Sequence, residues 1–311
     1  MANDVVEDHP YLPGGLIALD QWKTPETSVQ KTIRGAFRDI LDQLRAGISP
    51  EEQAFQSLDD LPMLSGDRLK EFAPEPDAAL LAQVLVDQFD QLHRDGASHR
   101  EVNFVVAPPF SGVKEALRCL SRRVLTPPDN LLMTEQDAGA WWDEQLSGGD
   151  CVIPELADFW LRHPGGLNLL RELFARIALD HAGNGMVGCS SWCWQFWRQY
   201  SPELSLAPYT LAPLTGEQLT RWLDYLASGQ GEQQVTARMT RDGLYVLPAP
   251  GQDSDLKYSS FNQDLATLAR GNRGVALAIW QRTLRARPEK DDEDSGKEVV
   301  RLAGRRCWVA P

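Results

Sequence analysis

A chain of 311 residues, 42% apolar and 24% charged, has enough material for one large or two ordinary domains around a buried core. A formal net charge of -13 repels phosphate backbones and argues against nucleic acid as the main partner. No run approaches the roughly 18 uninterrupted apolar residues of a membrane span.

The opening MANDVVEDHPYLPGG is acidic and has no apolar stretch, so no secretory leader is expected and the chain is read as cytoplasmic. The five cysteines, at 119, 151, 189, 193 and 307, are odd in number and form no C-x-x-C pair. Their spacing indicates neither a disulfide framework nor a zinc site, and the five histidines show no ligand spacing either. No metal site is therefore expected.

Residues 1–77 read as a helical and loop extension. They hold a turn at Leu12-Pro13-Gly14-Gly15, an amphipathic helix over 32–46, and a loose stretch broken by Pro50, Pro62, Pro74 and Pro76. Asp77 then caps a helix with Leu80, Leu81, Val84, Leu85, Gln88 and Leu92 along one side. The run from Val102 to Ala107 is apolar except for Asn103, the pattern of a parallel strand buried on both faces. Pro108 and Pro109 stop it, Ser111-Gly112 turns the chain, and Val113, Ala116, Leu117, Leu120 and Val124 recur at helical spacing.

A short strand around residues 124–126 follows, then a helix over 130–146 carrying Trp141 and Trp142. Cys151 to Ile153 starts another strand, which runs into Pro154-Glu155-Leu156-Ala157-Asp158. A helix over 167–179 leads to a strand over 186–189 that ends in Ser190-Ser191. The helix over 192–200 is ringed by Trp192, Trp194, Phe196, Trp197 and Tyr200, so it is either buried on several sides or half of an interface. Residues 209–211 pair as a strand, Pro213 ends it, and Thr215 caps a helix with Leu219, Trp222, Leu223 and Leu226 on one face. Two β-like runs over 234–238 and 243–247, an acidic linker over 288–297 and a strand near 305–309 complete the chain.

Strand, tight loop and helix in this order form a phosphate-cradling unit. The loop APPFSGVK, residues 107–114, resembles the P-loop of AAA-type ATPases, which commonly reads G-P-P-G-x-G-K-S/T. LAPLTGEQL, from Leu211, is similar to the junction by which such ATPases leave their last core strand. LATLARGNRGVAL, from Leu265, is similar to their lid helices. The resemblance covers residues 78–287. It implies an α/β, P-loop NTPase-like three-layer core with a mostly parallel sheet over 78–212. A helical lid with an inserted β-hairpin would follow over 213–287, and an acidic linker with a terminal strand over 288–311.

It also implies ATP and Mg as cofactors. Nucleotide-binding positions would be Pro109, Ser111, Gly112, Val113 and Lys114, with Arg273 in the lid. Glu155 would orient the attacking water, with Asp158 as its alternate, and Ser190 or Ser191 would touch the γ-phosphate. Arg162 would complete a neighbouring subunit's site. The departures are as specific as the match. Ala107 and Phe110 replace glycines, Val113 stands in the lysine position, and Lys114 takes that of the magnesium-binding hydroxyl. Residue chemistry alone leaves two other roles open: carboxylates in the first turn of a helix at Glu155 and Asp158, and a helix cap at the serines.

The resulting reading is an AAA-like ATP-binding or pseudo-ATPase protein in a regulatory or assembly role, working with a protein partner or a second copy of itself. One alternative is an inactive scaffold docking through its aromatic surfaces. Another is a DNA-binding regulator using residues 261–287, where Arg270, Arg273, Arg282, Arg285 and Arg287 cluster. A serine hydrolase built on Gly188-Cys189-Ser190-Ser191-Trp192 fails, because the second glycine is missing and no histidine follows His181.

Overall fold

The computed structural model describes residues 9–25, 61–94, 102–179, 184–201, 206–228, 235–240, 242–250, 256–286 and 306–309. The expected helix over 32–46 and the acidic linker over 288–297 lie outside them. The chain divides into two units, one of Met1–Lys23 with Pro76–Ala212, the other of Thr24–Glu75 with Pro213–Pro311.

Six strands build the first unit: β1 (Leu16–Ala18), β2 (Val102–Ala107), β3 (Arg123–Val124), β4 (Cys151–Ile153), β5 (Gly185–Ser190) and β6 (Tyr209–Leu211). They lie side by side in the order β1-β6-β2-β5-β4-β3. Every pairing is parallel except that of β1 with β6. The strands anticipated around Val102, Val124, Cys151, Met186 and Tyr209 thus share one sheet. Edge strand β1 was not anticipated, since three half-buried residues leave too short a pattern to read.

Among the described residues, five helices belong to this unit: α1 (Ala78–Arg94), α2 (Val113–Arg118), α3 (Glu135–Leu146), α4 (Asn168–Ala178) and α5 (Ser191–Tyr200). Asp77 caps α1 as expected, its Oδ1 accepting from the N–H groups of Ala79 at 2.8 Å and Leu80 at 3.3 Å. α3 begins five residues later than its apolar spacing suggests. Asn130 Oδ1 accepts from Leu132 N–H at 3.0 Å and holds a turn there, and Thr134 supplies the cap by accepting from Asp137 N–H. α2 is shorter than expected and ends at Arg118, its last turn closed by a bond from Cys119 N–H to the Ala116 carbonyl.

Side chains alternate across the sheet. Phe104, Val106, Val187 and Cys189 point into one core with Trp142, Phe159, Leu173 and Trp197, which come from α3 to α5 and the turn after β4. Gly188 points the other way, against Leu117 of α2. Helices therefore cover both faces, which is why β2 and β5 carry few polar residues.

The second unit holds α6 (Gly216–Ser228), α7 (Phe261–Leu268), α8 (Arg273–Thr283) and a helix over Gly66–Phe72. Its strands β7 (Thr236–Met239), β8 (Tyr245–Leu247), β9 (Leu284–Arg285) and β10 (Arg306–Val309) run in the order β8-β7-β10-β9. β7 and β8 form the expected hairpin, and β10 extends it by pairing parallel to β7. Thr215 caps α6 reciprocally: its hydroxyl accepts from Gln218 N–H, and Gln218 Oε1 accepts from Thr215 N–H. Leu219, Trp222, Leu223 and Leu226 are buried along α6 as their spacing requires.

Asp224 of α6 is held by Ala249 N–H at 3.0 Å, yet burial pushes its carboxyl above the ordinary 3.8. A raised acid binds its proton more tightly when folded. Its contribution to stability is therefore full below pH 3.8 and falls as pH rises through the folded value. We expect Asp224→Asn to be more stable than the parent near neutral pH and to lose that advantage in acid. Denaturant unfolding across pH checks this, and parallel curves would refute it.

Candidate functional site at the carboxyl ends of β2, β4 and β5

The chain leaves β2 towards β3, on the far side of β5 and β4, and leaves β5 towards β6, on the opposite side of β2. Two adjacent parallel strands whose connections diverge open a crevice beyond their carboxyl ends, the usual ligand position in such sheets. Ala107 and Ser190 lie opposite each other at that point.

The loop after β2 closes on itself. Ser111 is buried, its N–H donates to the Pro108 carbonyl at 3.3 Å, and its hydroxyl accepts from Val113 N–H at 3.4 Å. Pro109 is half-buried in the same turn. Phe110 takes a left-handed φ of 66° and exposes 83% of its surface. A bulky residue in that region is strained, where a glycine would adopt the same φ freely. Gly112, with φ of 84°, makes the entry to α2. Val113, in the lysine position of the P-loop pattern, is 4% exposed and belongs to the core. Lys114 reaches Asp158 instead, with Nζ 2.9 Å from Oδ2.

Glu155 caps the short 3-10 turn Leu156–Phe159 after β4. Its Oε1 accepts from Ala157 N–H and from Ser190 N–H, each at 3.0 Å, so one carboxylate oxygen ties the end of β4 to the end of β5. Ser190 is the N-cap of α5, but its hydroxyl makes no capping bond. Pro154, where the pattern would place its first aspartate, is buried, and its carbonyl lies against Gly188. Arg162 is exposed, its guanidinium 5.8 Å over the Phe196 ring. Arg273 belongs to the second unit, where it is buried with its guanidinium 5.6 Å over Trp222.

Geometry thus joins Glu155 to Ser190, and Lys114 to Asp158, at one end of the sheet. It also gathers a set that spacing did not reveal: ligand atoms of Glu155, Cys189 and Cys193 lie within 4.8 Å of one another. Cys189 and Cys193 are buried, and Trp160 Nε1 donates to Cys193 Sγ at 3.3 Å. Burial, then the Cys193 thiol, then the Glu155 charge push the Cys189 thiol well above its ordinary range. A C-x-x-x-C pair across a strand-to-helix junction was the only trace of this in the sequence, and it gains meaning only once β4 lies beside β5.

The aromatics of α5 divide. Trp197 is buried and Trp194 half-buried, whereas Trp192 is 74% exposed. Trp160, Phe196 and Tyr200 stack in series, with ring centroids 4.5 Å and 5.6 Å apart. Comparison of the chain with known protein families finds no matching family model, and comparison with curated proteins finds no match.

Proposed function

We propose that the protein is a pseudo-ATPase: an AAA-like P-loop architecture retained for assembly or regulation, with its nucleotide site closed. A loop at the divergence of β2 and β5 supports the architecture, as does an acid at the end of β4. The two other stretches that carry the resemblance meet within the second unit, where Leu214 N–H donates to the Gly271 carbonyl at 3.0 Å. The observation that carries the loss of function is the fate of the motif's lysine and hydroxyl positions. Val113 is spent on the core, and the Lys114 charge is neutralised by Asp158. These residues do not fit a magnesium-bound triphosphate, which needs a free cation and an open ring of backbone N–H groups. No catalytic step is therefore assigned to Glu155, Ser190 or Arg162.

Calorimetry with ATP, with and without magnesium, tests this. We expect affinity weaker than about 100 μM, or about 5.5 kcal/mol, and no gain from the metal. The combined variant Ala107→Gly, Phe110→Gly, Val113→Lys and Lys114→Thr is expected to bind at least about tenfold tighter. Circular dichroism verifies its fold, since a lysine replaces a core valine. Tight binding by the parent chain overturns the proposal.

A docking role is the second reading, and the exposed Trp192 beside the stacked Trp160, Phe196 and Tyr200 favours it. A strictly monomeric mass in light scattering would make that partner a different protein. The DNA-binding alternative gains less. Arg273 is buried, and Arg285 turns onto the Arg282 and Leu284 carbonyls.

A further inference from the structure

We propose that Glu155, Cys189 and Cys193 form a binding site for a divalent cation of the zinc type. The inference goes beyond the pseudo-ATPase reading and does not depend on nucleotide. Three elements supply the ligands: Cys189 is the penultimate residue of strand β5, Cys193 is four residues on in α5, and Glu155 follows the neighbouring β4. Their ligand atoms already lie within 4.8 Å of one another. A tetrahedral zinc with sulfur at about 2.3 Å and oxygen at about 2.0 Å places its ligands roughly 3.5–3.8 Å apart. Small side-chain rotations close that difference.

The surroundings match what a metal site requires around its ligands. Trp160 Nε1 donates to Cys193 Sγ, a hydrogen bond that fixes the orientation of the sulfur. Glu155 is oriented by two backbone N–H groups on a single oxygen. That leaves it further lone pairs, because an ionised carboxylate accepts about four bonds in all. Both thiols are buried, at 3% and 5% exposure, close to the Glu155 carboxylate. A dication offsets the crowding of three anionic ligands. Two sulfurs select a borderline-soft ion over magnesium or calcium.

On binding, two S–H bonds break and two metal–sulfur bonds form. Both protons pass to solvent, and the site carries a net charge of about -1. Three protein ligands leave the fourth tetrahedral position to water or an external donor.

The test uses the full chain, reduced and stripped with a chelator, and titrates it with Co2+ in place of zinc. We expect one equivalent to bind with a thiolate charge-transfer band and tetrahedral visible bands, release of two protons, and displacement by Zn2+. Cys189→Ser and Cys193→Ser should each weaken binding by about 100-fold, and Glu155→Gln by about tenfold. Cys119→Ser combined with Cys307→Ser should leave it intact. Tryptophan fluorescence confirms that each variant folds. The proposal is overturned by a parent chain without the thiolate band, by binding that survives loss of both Cys189 and Cys193, or by binding that depends on Cys119 or Cys307.

Discussion

Gly188→Ala is expected to destabilise the first unit by about 3 kcal/mol or more, at the upper end of what overpacking a core produces. A Cβ on Gly188 would stand 2.2 Å from the Pro154 carbonyl oxygen and 2.6 Å from Leu117 Cδ1. Leu117 can rotate, but the Pro154 oxygen is backbone at the end of β4, and only a shift of β4 away from β5 relieves it. A glycine inside a strand often marks such a close approach. The shift would also pull Glu155, the next residue, from Ser190 N–H, so the cation site should weaken together with the fold. Denaturant titration followed by tryptophan fluorescence measures the first effect and Co2+ titration the second. An alanine variant with parental stability would mean that β4 and β5 are not in this register.

Trp142→Ala should cost about 3–5 kcal/mol, the range for removing a buried large aromatic. The side chain is fully buried, 4.7 Å from the Trp141 ring and 6.2 Å from that of Phe159. Its Nε1 donates to the Leu169 carbonyl at 2.7 Å, joining α3 to the first turn of α4. Trp142→Phe keeps most of the volume and loses that bond. Leu169 lies within a helix, so its carbonyl retains its own helical donor, and the phenylalanine variant should lose only about 1 kcal/mol beyond the volume change. Equal losses in the two variants would show that the hydrogen bond, and not the ring, holds α3 in place. The neighbouring Trp141 is half-buried, and its replacement should cost less than that of Trp142.

Where a signal was local, it could be read in advance. The apolar run of β2, the Asp77 cap and the Thr215 cap with its buried face depend on residues within about one or two helical turns of each other. The site was legible only in pieces. Glu155 and Ser190 are 35 positions apart, and Lys114 and Asp158 are 44 apart, so each partnership exists only through the strand order. The fate of Val113 was hidden for a similar reason, because a valine after a turn looks alike on a phosphate loop and in a core. Edge strand β1 and the helix Gly66–Phe72 were missed because each is too short for a period to establish itself. The late start of α3 turned on a single Asn130 side chain competing with the helix.

The placement of β10 has a consequence for how the chain comes off the ribosome. All six strands of the first sheet are present once Ala212 has been made. The second sheet is different, because the strand between β7 and β9 is Arg306–Val309. The ribosome adds about 5–20 residues per second, so the roughly 70 residues between β7 and β10 take on the order of 3–14 s. Throughout that interval β7 keeps an unpaired edge, and Phe72, synthesised long before, waits for the rest of its unit. The second unit is therefore the part of the nascent chain with the longest exposure to chaperones, and to aggregation when they are scarce.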